Sequence, residues 1–147
     1  MKKYIILFIT VLLLTGCGAP KDTLSINGMY LGKKAPADRD HLVMDASFTY
    51  MDKDVGYDVD GENRIEYMAF YTIRNAKGEP ICDLSDVEFM YHGERLITTE
   101  DILACFGADY VPAVGERYDS FTFEDDELVV TVELLEGEVI NIEVSPR

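Results

Sequence analysis

Leu128, Val130, Val132 and Leu134 alternate with other residues in LVVTVELL, and Ile140, Ile142 and Val144 do the same in VINIEV. A period of two places each apolar set on one face, the mark of half-buried strands. YDSFTF precedes them, and only the acidic EDDE and then Glu136-Gly137 separate the three runs. Connections that short join antiparallel neighbours, so the C-terminal third reads as a three-stranded meander. Just upstream, Thr98 stands three residues before Asp101, with Ile102, Leu103 and Phe106 behind it and Gly107 closing the run. An N-cap, an apolar stripe and a C-terminal stop predict a helix of about two turns. RIEYMAFYTI has a different pattern: Ile65, Tyr67, Ala69, Tyr71 and Ile73 alternate with Met68, Phe70 and Thr72, so both of its faces are apolar.

The chain also matches itself. MYLG at 29–32 returns as MYHG at 90–93, an offset of 61, and at that offset residues 26–59 and 87–120 share seven identities. About two are expected by chance in so short an overlap. The identities are Met29 with Met90, Tyr30 with Tyr91, Gly32 with Gly93, Asp40 with Asp101, Leu42 with Leu103, Tyr57 with Tyr118 and Asp58 with Asp119. With small shifts IEYMAFYTI (65–73) lies beside LVVTVELL (128–135), and GEPI (78–81) beside GEVI (137–140). The expected architecture is α+β: two tandem repeats, 24–85 and 86–147, each a short helix followed by a three-stranded antiparallel meander, the helix covering one sheet face.

GMYLGKKAPADRDHL and FMYHGERLITTEDILACFG resemble the glycine-containing opening, short helix and closing glycine of the small tandem repeats in the β-lactamase-inhibitor-protein-like and outer-membrane-assembly small lipoprotein superfamily. The first copy departs from that pattern, lacking the closing glycine and carrying Pro36 and basic residues ahead of its helix. The resemblance implies a binding module that meets other proteins through an exposed sheet face. It fixes no partner-contact residue.

The N-terminus changes the setting. Met1-Lys2-Lys3 is followed by Tyr4 to Leu14, eleven residues without a charge, and then by Thr15-Gly16-Cys17. Eleven residues of helix rise only about 16 Å, too short to span a bilayer, so residues 1–16 read as a secretory signal peptide. The ending resembles the lipobox of bacterial lipoproteins, which implies cleavage before Cys17 and a diacylglyceryl thioether on its sulfur. Two acyl chains hold durably where one holds marginally. Residues 17–23 are then the lipidated cysteine and a tether of about 20 Å reach, the partner is the lipid bilayer, and the location is the extracytoplasmic face of the cell membrane.

Removing residues 1–16 leaves 11 basic against 28 acidic residues, a formal charge of −17. That charge repels phosphates, which argues against nucleic acid as a partner. The acid is densest in DKDVGYDVDGEN, where Asp52, Asp54, Asp58 and Asp60 are candidate ligands for a hard cation. No EF-hand fits: with Gly61 at the sixth position, Gly56 and Tyr67 fall where the first and last ligands belong. The alternative is an acidic turn at Asp60-Gly61. Cys82 and Cys105 remain for a disulfide or for two buried thiols, and spacing cannot decide between them. His41 and His92 are the only histidines, and the chain has no His-Glu-x-x-His, Gly-x-Ser-x-Gly or phosphate-binding glycine loop. No enzyme and no cofactor are therefore expected. The expected function is a non-catalytic protein-interaction module with an unidentified protein partner, using Tyr67, Met68, Phe70 and Tyr71, with cation binding or sensing through residues 52–63 as the alternative.

Overall fold

Three pairs of consecutive positive-φ residues fix the hairpins. Asn27 and Gly28 have φ of 51° and 73°, His92 and Gly93 of 49° and 83°, and Glu136 and Gly137 of 53° and 86°. Two such residues in a row make a type I′ turn, whose twist matches that of the strands it joins, and glycine at the second position removes the steric cost. The computed structural model describes residues 23–37, 50–52, 55–72, 74–79 and 81–147, with only the backbone described for 50–52.

The elements, in chain order, are Leu24–Ile26 (β1), Met29–Tyr30 (β2), Tyr50–Asp52 (β3), Val55–Val59 (β4), Ile65–Tyr71 (β5), Phe89–Tyr91 (β6), Glu94–Leu96 (β7), Thr99–Phe106 (α1), Tyr118–Glu124 (β8), Leu128–Leu135 (β9) and Glu138–Pro146 (β10). They form two antiparallel sheets, one ordered β2-β1-β6-β7 and the other β3-β4-β5-β10-β9-β8. The smaller is two hairpins joined through β1 and β6, with Leu24 opposite Tyr91 and Ile26 opposite Phe89. The larger is two meanders joined through β5 and β10, with Phe70 opposite Ile142 and Met68 opposite Val144.

One core lies between the sheets. Val55 and Tyr57 on β4, Met68 and Phe70 on β5, Ile142 and Val144 on β10, and Leu128, Val130, Val132 and Leu134 on β9 meet Leu24, Ile26, Phe89 and Leu96 of the smaller sheet. The alternation read in β9 holds through all four of its apolar residues. In β10 a register shift between Val139 and Asn141 breaks the period, so Val139, Ile142 and Val144 are buried and Ile140 is not. Helix α1 packs Ile102 and Phe106 into the same core, and Phe106 sits 4.7 Å from the ring of Tyr91 and 5.3 Å from that of Phe123. Its cap is the one the sequence predicts. Thr98 Oγ1 accepts from the Asp101 N–H at 3.2 Å, and the Asp101 carboxylate accepts from the N–H groups of Ile97 and Thr98 at 2.9 and 3.0 Å.

The expected α+β class is overturned. Strands occupy nearly half of the described residues and α1 is the one α-helix among them, so the fold is mostly β, and two helix-plus-meander repeats are not found among the described residues. The opening expected to lead into a first helix instead turns at Leu31-Gly32, where Gly32 has φ of 73°, and bonds to the start of β5. Gly32 N–H donates to Ile65 O at 2.7 Å, Ile65 N–H to Lys33 O at 2.9 Å and Ala35 N–H to Asn63 O at 3.0 Å, so these residues are tied beside β5. Pro36 reinforces this, because it disfavours helical backbone at Ala35. Residues 38–49 lie outside the described residues.

The 61-residue offset is also wrong in register. It sets Met29 and Tyr30, on the second strand of one hairpin, against Met90 and Tyr91, on the first strand of the other. Matching the two tight turns, Asn27-Gly28 with His92-Gly93, gives 65 instead. IEYMAFYTI likewise occupies the third strand of its meander and LVVTVELL the second of its own. Each half does run hairpin then meander, but in MYLG the glycine follows β2, whereas in MYHG it lies in the turn between β6 and β7.

Candidate functional site

Pairing decides which face of the larger sheet each residue takes. Met68 and Phe70 are fully buried in the core, so these two of the four expected binding residues are core residues. Their neighbours Tyr67, Ala69 and Tyr71 point to the opposite face. Register then carries that outer face across the sheet. Ala69 lies between Gly56 on β4 and Glu143 on β10, and Tyr71 lies opposite Asn141. Asn141 lies opposite Glu133 on β9, Glu143 opposite Thr131, and β8 adds Tyr118, Ser120, Thr122 and Glu124.

Asn141 organises this face. Its Nδ2 donates to Glu133 Oε2 at 2.9 Å and to Glu143 Oε1 at 3.2 Å, so one amide spans carboxylates from two strands. The residue is only 3% exposed and its Oδ1 accepts no hydrogen bond among the described residues. Asp58, Glu124, Glu133 and Glu143 stand on the face, and no Lys or Arg does among its described positions. Two of the described cations pair with other carboxylates: Arg117 with Glu136, and Arg64 with Asp60 and Glu62.

The tyrosines register this negative field. Tyr67 is pushed well above the ordinary phenol range, first by burial and then by the charge of Glu143 and by Tyr71. Tyr118 is pushed up to about 12, chiefly by hydrogen bonding to Glu133, then by burial and by the charges of Glu133 and Glu143. Both phenols hold their protons more firmly in the fold than in the unfolded chain, whose value is near 10. Their contribution is therefore complete below pH 10 and falls as pH rises above it, that of Tyr118 being lost by about 12 and that of Tyr67 only at higher pH, because the unfolded chain ionises first. Urea midpoints should fall between pH 9.5 and 11.5, and Tyr67→Phe with Tyr118→Phe should flatten that fall. An unchanged slope in the double variant would detach these phenols from the carboxylates.

The other expected sites are placed as follows. Cys17 and Asp54 lie outside the described residues, and for Asp52 only the backbone in β3 is described. Asp58 is on β4. Asp60 organises the turn: its carboxylate accepts from the N–H groups of Glu62 and Arg64 at 2.8 and 2.9 Å and from Arg64 Nε at 2.9 Å. Those bonds hold its carboxyl below the usual carboxylate range. No group of three or more potential metal ligands comes together among the described residues. Cys82 and Cys105 stand as two separate thiols, the first buried and the second half-buried.

Tyr118, Glu133, Asn141 and Glu143 were missed from the sequence. The signal was present in the polar phase of the same alternation: VINIEV carries an asparagine within an apolar strand, and that residue is the buried centre of the face. Comparison of the chain with protein families, with curated proteins and with solved structures finds no match in any of the three.

Proposed function

We propose that the chain is a membrane-anchored extracytoplasmic lipoprotein, held by lipid on Cys17, whose folded part is a non-catalytic protein-interaction module. The observation that carries the reading is the gathering of Tyr67, Tyr71 and Tyr118 with Glu133 and Glu143 on the outer face of the larger sheet, with no cation among its described positions. Tyrosine is enriched at interface centres, where it brings large contact area and a polar tip, and the carboxylates select a basic partner.

Thr23 is buried, its carbonyl accepts from the His92 N–H at 2.7 Å and its Oγ1 donates to Glu127 at 2.9 Å, so the tether ends where β1 begins.

A photoactivatable phenylalanine analogue tests the face in the full-length chain in its own membrane. Placed at Thr122, exposed on the outer face, it should give a discrete heavier adduct. Placed at Tyr30, on the outward side of the smaller sheet, it should not. Equal adducts from both positions, or none from Thr122, would contradict the assignment.

A further inference from the structure

We infer that the edge of β8 takes an extended segment of the protein partner as an added strand, apolar toward the core and basic toward the outer face. The inference rests on the reading of the folded part as a protein-interaction module and names how the partner is held. β8 ends its sheet, with no strand beyond it among the described residues. The other described edge strands are two or three residues long, whereas β8 runs seven residues in unbroken register with β9. Its pairing fixes which groups face outward. Arg117 O accepts from the Glu136 N–H and the Asp125 N–H donates to Leu128 O, so the odd-numbered residues bond to β9. The N–H and C=O groups of Tyr118, Ser120, Thr122 and Glu124 therefore point to the open side. One of them is closed within the chain, where Asp119 Oδ1 accepts the Ser120 N–H at 2.8 Å. Thr122 and Glu124 are exposed, and no lysine, proline or bulge blocks the strand there.

A groove runs along this edge. Phe121, Thr122, Phe123 and Glu124 line it in succession, and Phe106 and Tyr110, from the end of α1 and the turn after it, line the other side. Consecutive residues of a strand point to opposite faces, so a cavity that touches all four lies along the strand's edge. Its volume of about 250 Å³ is below the roughly 300–1,000 Å³ of small-molecule sites and admits one large side chain. What fits is a backbone that offers N–H and C=O to Thr122 and Glu124 and sets one side chain against the rings of Phe106, Phe121 and Phe123. Main-chain bonds hold such a strand, and the groove selects one of its residues. Charge chooses among the occupants. Asp109 and Glu124 border the groove, and Glu133 stands opposite Ser120 on an outer face without a described cation. A second copy would set one acidic strand beside another, whereas lysine or arginine in the outward phase meets these carboxylates with the opposite sign.

The test is a nuclear magnetic resonance titration of the full-length chain in non-ionic detergent with acetyl-Lys-Val-Lys-Val-Lys-Val-Lys-amide, followed at the backbone N–H groups of Thr122 and Glu124. Both should shift saturably, and their hydrogen exchange in the complex should slow at least about tenfold. The same peptide methylated on its backbone nitrogens keeps every side chain but loses the main-chain donors, and its glutamate counterpart reverses the charge. Each should bind at least about tenfold more weakly. Thr122→Pro removes one edge N–H at a position where sheets accept proline, so it should weaken the peptide about tenfold while the urea midpoint moves only slightly. No saturable shift, equal binding of the methylated peptide, or slowed exchange of both N–H groups before peptide is added, which would put a second copy or another segment of this chain on the edge, would overturn the inference. In the membrane, the photoactivatable residue placed at Ala108, exposed across the groove, should give the same adduct as at Thr122. An adduct at Thr122 alone, without peptide binding, would leave the interaction face standing and remove only the added strand; absence of both adducts would remove both.

Discussion

Phe70→Ala should cost about 3–5 kcal/mol of folding free energy, the largest loss expected from any single truncation on β5. Phe70 is fully buried and is flanked in register by Val55 on β4 and Ile142 on β10, themselves fully buried. A phenyl ring removed from a site walled on both sides by strands leaves a cavity that a sheet cannot close by small shifts. A domain of this size is stable by only about 5–15 kcal/mol, so a urea midpoint should drop far enough to be unmistakable. Tyr118→Ala, on the outer face and half exposed, should cost less than about 1 kcal/mol. Comparable losses at the two positions would mean that the outer face is covered and that Tyr118 is not available to a partner.

The contrast between those residues shows how far the sequence could be read. The phase of β9 was legible because all four of its inward residues are aliphatic while Thr131 and Glu133 interrupt the outward set. Helix α1 was legible because its cap, stripe and stop are local. In β5 both phases are apolar, and the choice between Met68 with Phe70 and Tyr67 with Tyr71 is made by distant strands: β4 and β10 set the register, and an irregularity between Asp58 and Val59 shifts it near Ile65. The face itself was beyond reach for the same reason. Glu133, Asn141 and Glu143 are spaced along the chain in a way that means nothing until β9 and β10 pair, and Tyr71 joins them only when the two meanders meet edge to edge. The misplaced repeat had a local cause. MYLG and MYHG look alike as strings, yet one spans the end of a hairpin and the other its turn.

Cys17→Ser should abolish anchoring. The thioether needs sulfur as nucleophile, and a serine hydroxyl at the same place forms none, so both acyl chains are lost together and the unmodified precursor stays uncleaved. Each buried methylene contributes about 0.8 kcal/mol to membrane affinity, so losing two chains removes far more binding than the short tether could replace. Metabolic labelling with a fatty acid should give a labelled band for the unaltered chain and none for Cys17→Ser. Label retained in the variant would place the lipid elsewhere or show that there is none.

The most direct measurement keeps the photoactivatable residue at Thr122 and asks whether its adduct depends on the tyrosines. With Tyr71→Ala and Tyr118→Ala together, the adduct yield should fall at least about tenfold, the effect of losing two interface anchors, while the amount of chain in the membrane stays the same and its urea midpoint shifts only slightly. An unchanged yield from that double variant, in protein that is still folded and still anchored, would contradict the assignment of this face as the binding surface.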